Sequence, residues 1–120
     1  TWKDYRLETF EEIIKEGRKF GTFLTISSQR PSDISETIIS QLHNYFIHRL
    51  VNNEDIRAIG KAVAFIDNTS YEMISVLPQG ACIFTGVASN FPVLVQVDLL
   101  PKQQQPQSST INLTELWKEP

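Results

Sequence analysis

This 120-residue sequence is short of cysteine, of basic residues relative to acidic ones, and of long apolar runs, and each shortage excludes something. A single cysteine, Cys82, rules out an internal disulfide. It stands in an apolar stretch, where a buried inert thiol is expected rather than a nucleophile or ligand, and a reducing cytosol fits. No stretch approaches the roughly 20 apolar residues that span a bilayer, and the amino terminus shows no signal-peptide pattern, so the expectation is a soluble cytoplasmic chain with no membrane partner. Eleven Lys and Arg against 14 Asp and Glu give a net charge of -3 and a pI near 5.3. A broad basic surface for nucleic-acid phosphates is therefore not expected here.

What is present is ordinary for a folded domain: 41% hydrophobic and 21% charged residues, enough to bury one core. The chain starts without Met in the middle of an amphipathic pattern, which leads us to expect an excised piece of a larger parent. Between Leu7 and Phe20, Phe10, Ile13, Ile14 and Phe20 recur at helical spacing, and Gly21 is placed to cap the helix. Thr22 to Ser28 is β-branched and apolar between Gly21 and Pro31, as in a buried strand. A second helix, capped by Asp33 or Ser35, reaches about Leu42. Tyr45 to Val51 is the next strand, and Asn52 or Asn53 caps a helix carrying Ile56, Ile59 and Val63. Thr69 and Glu72 have capping-box spacing for a short helix that Pro78 and Gly80 end.

Strand and helix alternating through short connections predict an α/β fold with parallel strands. Two apolar runs, Ala81 to Val87 and Val93 to Leu99, then predict a closing antiparallel hairpin through residues 88–92. Residues 1–100 thus form one domain. Residues 101–110, rich in Pro, Gln and Ser, form a linker. The segment 111–120 is short and amphipathic through Ile111, Leu113, Leu116 and Trp117, and needs a surface to dock on. No internal repeat is evident.

Residues just past the carboxyl end of a strand in an α/β sheet face the ligand crevice, which selects Gln29 and Arg30. Glutamine both donates and accepts, so it can hold a water beside a phosphoryl oxygen; arginine forks onto phosphate. Together, Gly17-Arg18-Lys19-Phe20-Gly21, the strand ending in Ser28-Gln29-Arg30-Pro31-Ser32-Asp33-Ile34, Ile39-Ser40-Gln41-Leu42, Phe46 to Leu50 and Asn52-Asn53-Glu54-Asp55 resemble the part of HerA-type ATPases that follows the Walker B strand. The resemblance runs from about Leu7 to Leu99 and is shared more loosely with FtsK-like and conjugation-type pumping ATPases.

That resemblance implies part of a RecA-like P-loop NTPase core in a homohexameric DNA translocase or helicase, often beside a nuclease or other effector subunit. Carried over by matching position, Gln29 is the sensor of the γ-phosphate and Arg18 a finger reaching the neighbouring subunit's nucleotide; Arg30, from its place past the strand, is a candidate nucleotide contact. ATP and Mg²⁺ are the implied cofactors of the parent. The chain itself has no Gly-x-x-x-x-Gly-Lys-Ser/Thr and no apolar strand ending in Asp-Glu, so alone it is expected neither to bind ATP tightly nor to hydrolyse it.

Plainer readings exist for each residue. Arg18 and Lys19 are also cations well placed at a helix carboxy terminus. Arg30 also suits a local pair with Asp33, and Gln29 a polar strand end. His43 and His48 lack a companion at metal spacing, so no metal is assigned. Arg57 fits a solvated helix face, with Asp55 or Glu54 as neighbours. Two functional alternatives stand beside the translocase: a conjugation or secretion ATPase, and a non-catalytic interaction module built around the terminal segment.

Overall fold

A computed structural model describes residues 2–64, 66–109 and 111–117, with backbone alone for 2–5. The side chains of Trp2 and Tyr5, and residues 118–120 of the terminal segment, lie outside the described residues. Helix α1, Trp2–Glu16, tightens into a 3-10 turn at Gly17–Phe20 and ends where Gly21, at φ 72°, donates its N–H back to the Arg18 and Gly17 carbonyls. That is the expected glycine cap. The apolar stripe is only half used, because Ile13 and Ile14 are partly buried while Phe10 and Phe20 are exposed.

A 3-10 turn at Pro31–Asp33 leads to α2, Glu36–Gln41, with Ser35 at its N-cap position. Strand β1, Asn44–His48, and helix α3, Asn53–Ala62, follow; Asn52 caps α3 by accepting the Glu54 N–H at 2.8 Å. Helix α4, Asn68–Met73, runs into a 3-10 turn at Ile74–Val76. Its N-cap is Asp67 rather than Thr69, so the capping-box register expected from Thr69 and Glu72 does not form. Strands β2, Ala81–Gly86, and β3, Ser89–Gln96, complete the sheet, and a 3-10 turn, Lys102–Gln104, precedes α5, Leu113–Leu116.

The sheet has three strands in the order β1-β2-β3, antiparallel throughout, with Phe46 opposite Phe84 and Phe84 opposite Val93. The predicted hairpin is there, but β3 starts at Ser89 and takes in Pro92, which an edge strand tolerates because one row of its N–H groups faces no neighbour. Gly86, at φ 138°, makes the tight approach that admits the turn: a Cβ there would lie 2.2 Å from the His43 carbonyl oxygen.

One face of the sheet carries the core. Tyr45, Ile47 and Ile83 point inward against Ile39, Ile59 and Val63 from the helices and Ile74 and Leu77 from the turn before β2. On the other face Phe46 stands 68% exposed beside Phe84, ring centroids 4.7 Å apart. The Tyr45 hydroxyl reaches the Ile39 and Leu42 carbonyl oxygens at 2.5 and 2.9 Å, closing the carboxyl end of α2. Burial pushes its pKa up.

The parallel pairing expected of Thr22 to Ser28 with β1 is not formed. Residues 22–28 run without a turn or bend, but none pairs with a strand. Among the described residues their only backbone hydrogen bond is Thr22 N–H to the Gly17 carbonyl, at 2.8 Å. A strand is defined by its neighbour, and among the described residues this run has none. The α/β class therefore stands, with an antiparallel rather than a parallel sheet.

Candidate functional site

Backbone crowding at Gly17 sets one end of the site. A Cβ at Gly17 would stand 2.9 Å from the Thr22 carbonyl oxygen and 3.3 Å from the Thr22 Cβ, so the chain can double back here only with glycine. Arg18 and Lys19 are thereby presented on an exposed turn at the start of the unpaired run. Along that run Leu24 and Ile26 are partly buried while Phe23 and Thr25 are exposed, the period-two alternation of a strand with one covered face.

Between this run and β1 lies an open cleft of about 1060 Å³. Both Arg18 and Gln29 line it, and they stand at opposite ends of the run. At ~3.3 Å per residue the seven steps from Thr22 to Gln29 reach up to ~23 Å. Arg30 does not line the cleft. Gln41 does, and its Oε1 is buried without a hydrogen-bond partner among the described residues. An orphan acceptor of this kind is uncommon in folded chains.

Beyond Gln29 the loop is held from a distance. Asp55, in the first turn of α3 and only 3% exposed, accepts the Ser32 N–H at 3.1 Å and the Ser32 hydroxyl at 2.6 Å through the same Oδ1. Its Oδ2 lies 3.6 Å from the Arg30 Nε. The Ser32 hydroxyl, before all else, holds the Asp55 carboxyl below the usual range, with Arg30 adding to it. Arg30 therefore pairs with Asp55, not with Asp33 as its proximity in sequence suggested. Its side chain is still 55% exposed.

Arg57 points elsewhere, lining a separate cavity of about 340 Å³ with Glu36, Glu54 and Lys61. Asp55 and Ser32 were not expected as partners. The only sequence signal was the position of Asp55 three residues after an Asn cap, which does not name Ser32.

Cys82 is 1% exposed, and burial raises its thiol pKa, which makes it a core residue without reactivity. His43 and His48 are exposed. Among the described residues no three His, Cys, Asp or Glu side chains come together as a metal site, and no helix is long and apolar enough to cross a membrane.

No protein-family model matches the chain. It is similar to a DNA double-strand break repair helicase HerA of Sulfurisphaera tokodaii, 34% identical over 107 residues, which is 89% of this chain and 21% of that protein. The protein of the same name from Pyrococcus furiosus is 38% identical over 85 residues, 71% of this chain and 15% of that protein. Its counterpart in Saccharolobus solfataricus is 36% identical over 87 residues, 72% and 17%. The chain thus spans about a fifth or less of the length of the curated relatives it matches.

Proposed function

From a chain homologous over most of its length to HerA-type P-loop ATPases, we propose that it is one part of an ATP-driven DNA translocase or helicase that works as a homohexameric ring. In this reading the phosphate-binding loop and the magnesium carboxylates are supplied outside these 120 residues, as is most of the DNA contact. The run 22–28 and β1 are two strands of a RecA-like core, and the cleft between them holds a third. Three observations support that placement: unpaired backbone along 22–28, a free edge on β1, and the orphan Gln41 Oε1 in the cleft.

The observation that carries the functional reading is that Arg18 and Gln29 flank one unpaired run at its two ends. In this reading Gln29, past the carboxyl end, serves a nucleotide bound in its own subunit and orients water against the γ-phosphate. Arg18, at the amino end, reaches a nucleotide across a subunit boundary. An arginine aimed at the charge that develops in phosphoryl transfer is worth about 10³- to 10⁵-fold in turnover.

Mixing tests both assignments in the full-length protein. Arg18→Ala is expected to remove nearly all ATPase activity without unfolding the protein, and Arg18→Lys to recover little of it, because an ammonium lacks the planar fork. Combining Arg18→Ala subunits with subunits lacking the P-loop lysine should restore activity at interfaces that pair an intact loop with an intact arginine. Full activity in the alanine variant, or no complementation in mixed rings, returns Arg18 to the role of a cation at a helix end.

A further inference from the structure

Residues 23–27 make no backbone–backbone hydrogen bond among the described residues, and the run's own tie to the loop that carries Gln29 is the Ser28 Oγ, which accepts the Arg30 N–H at 3.1 Å. A stronger tie comes from the other side. Immediately after Gln29 the chain enters Arg30, the buried Pro31 and Ser32, and two of these three converge on one carboxylate that is 23 residues away in sequence. Ser32 gives that carboxylate both its N–H and its hydroxyl, and Arg30 turns its Nε toward it. Proline fixes its own φ and restricts Arg30 before it, which narrows the path of the chain as it leaves Gln29. Asp55 is itself fixed in the first turn of α3, whose cap is made by Asn52. Charge-assisted hydrogen bonds to a buried carboxylate are the strong kind, and they hold only this geometry.

We propose that Asp55 is the positioning residue of the nucleotide site: through Ser32 and Arg30 it anchors the loop so that the Gln29 amide is held where a γ-phosphate and its attacking water are read. The proposal rests on the reading of Gln29 as a nucleotide contact. Asp55 touches no substrate; it acts through its two loop partners.

The test is a double-mutant cycle in the full-length ATPase, read as turnover, as affinity for a non-hydrolysable ATP analogue, and as thermal midpoint. Asp55→Ala is expected to lower turnover by about 10- to 100-fold, the usual consequence of misplacing a reacting group by about 1 Å, with analogue affinity within about threefold. Ser32→Ala, which removes a single hydroxyl and keeps the fold, should move turnover in the same direction by a smaller factor. In a Gln29→Ala background, neither Asp55→Ala nor Ser32→Ala should lower turnover further, because the residue they position is gone. A stabilising role alone would lower turnover by the same factor in both backgrounds and would move the thermal midpoint in step. That result overturns the proposal, as does wild-type turnover in a folded Ser32→Ala protein. If Gln29→Ala by itself leaves turnover unchanged, the nucleotide reading fails first, and the positioning role fails with it.

Discussion

Ile74 and Val76 share one 3-10 turn, yet Ile74 is 0% exposed and Val76 73%, which makes the turn an internal comparison for what holds this fold together. Ile74 packs under the sheet with Ile47, Leu77 and Ile83, and its carbonyl accepts the Leu50 N–H just past β1. Truncating Ile74 to alanine removes three carbons, and at about 0.8 kcal/mol per buried methylene the transfer loss is about 2.4 kcal/mol. The cavity left in a rigid core adds to this, placing the total at about 3 kcal/mol, inside the range of about 2 to 5 kcal/mol for such truncations. Against a domain stability of about 5 to 15 kcal/mol that is a large fraction. With a urea dependence of about 2 kcal/mol per molar, the midpoint should fall by about 1.5 M. Val76→Ala on the same turn should change stability by no more than about 0.5 kcal/mol. Equilibrium urea unfolding followed by far-ultraviolet circular dichroism measures both. A loss below about 1 kcal/mol for Ile74→Ala, or equal losses for the two variants, would refute the placement of the core beneath β1 and β2.

Acid should loosen the loop after Gln29 in a definite direction. The folded Asp55 pKa lies below its unfolded value, so the stability it contributes is complete above about pH 4 to 5 and is lost as pH falls through the folded pKa. Ser32→Ala removes the principal cause of the depression; urea midpoints measured from pH 6 down to pH 3 should then fall less steeply than in the wild type, and an unchanged slope would count against the Ser32 contact. Cys82, buried and with its thiol pKa raised, should resist a disulfide reagent at mildly alkaline pH in the native protein and react at once in guanidinium. Prompt native reactivity would mean that β2 is not the covered central strand described above.

What residue order settled by itself was local. Gly21 ends the first helix in the left-handed region, Asn52 caps α3 through its own side chain, and the runs around residues 81–96 fold back as a hairpin. Each is decided by groups within a few residues of one another, so composition and spacing are enough. Gln29 was also singled out by the sequence, through its place past the end of an apolar run, and Arg18 through a family resemblance; that both line one cleft came only with the tertiary structure.

Tertiary structure decided the rest. Whether Thr22 to Ser28 pairs as a strand depends on a neighbour that no local pattern names, and among the described residues it has none. Strand β1 pairs antiparallel with β2, which follows it only after two helices, and alternation along the chain named no such partner for it. The choice of Asp55 over Asp33 as the partner of Arg30 is likewise long-range, made beside the Ser32–Asp55 contact that joins residues 23 apart. Burial is what selects it: in the packed chain Asp55 loses its water and must be satisfied by the loop, while Asp33 remains exposed and keeps its own.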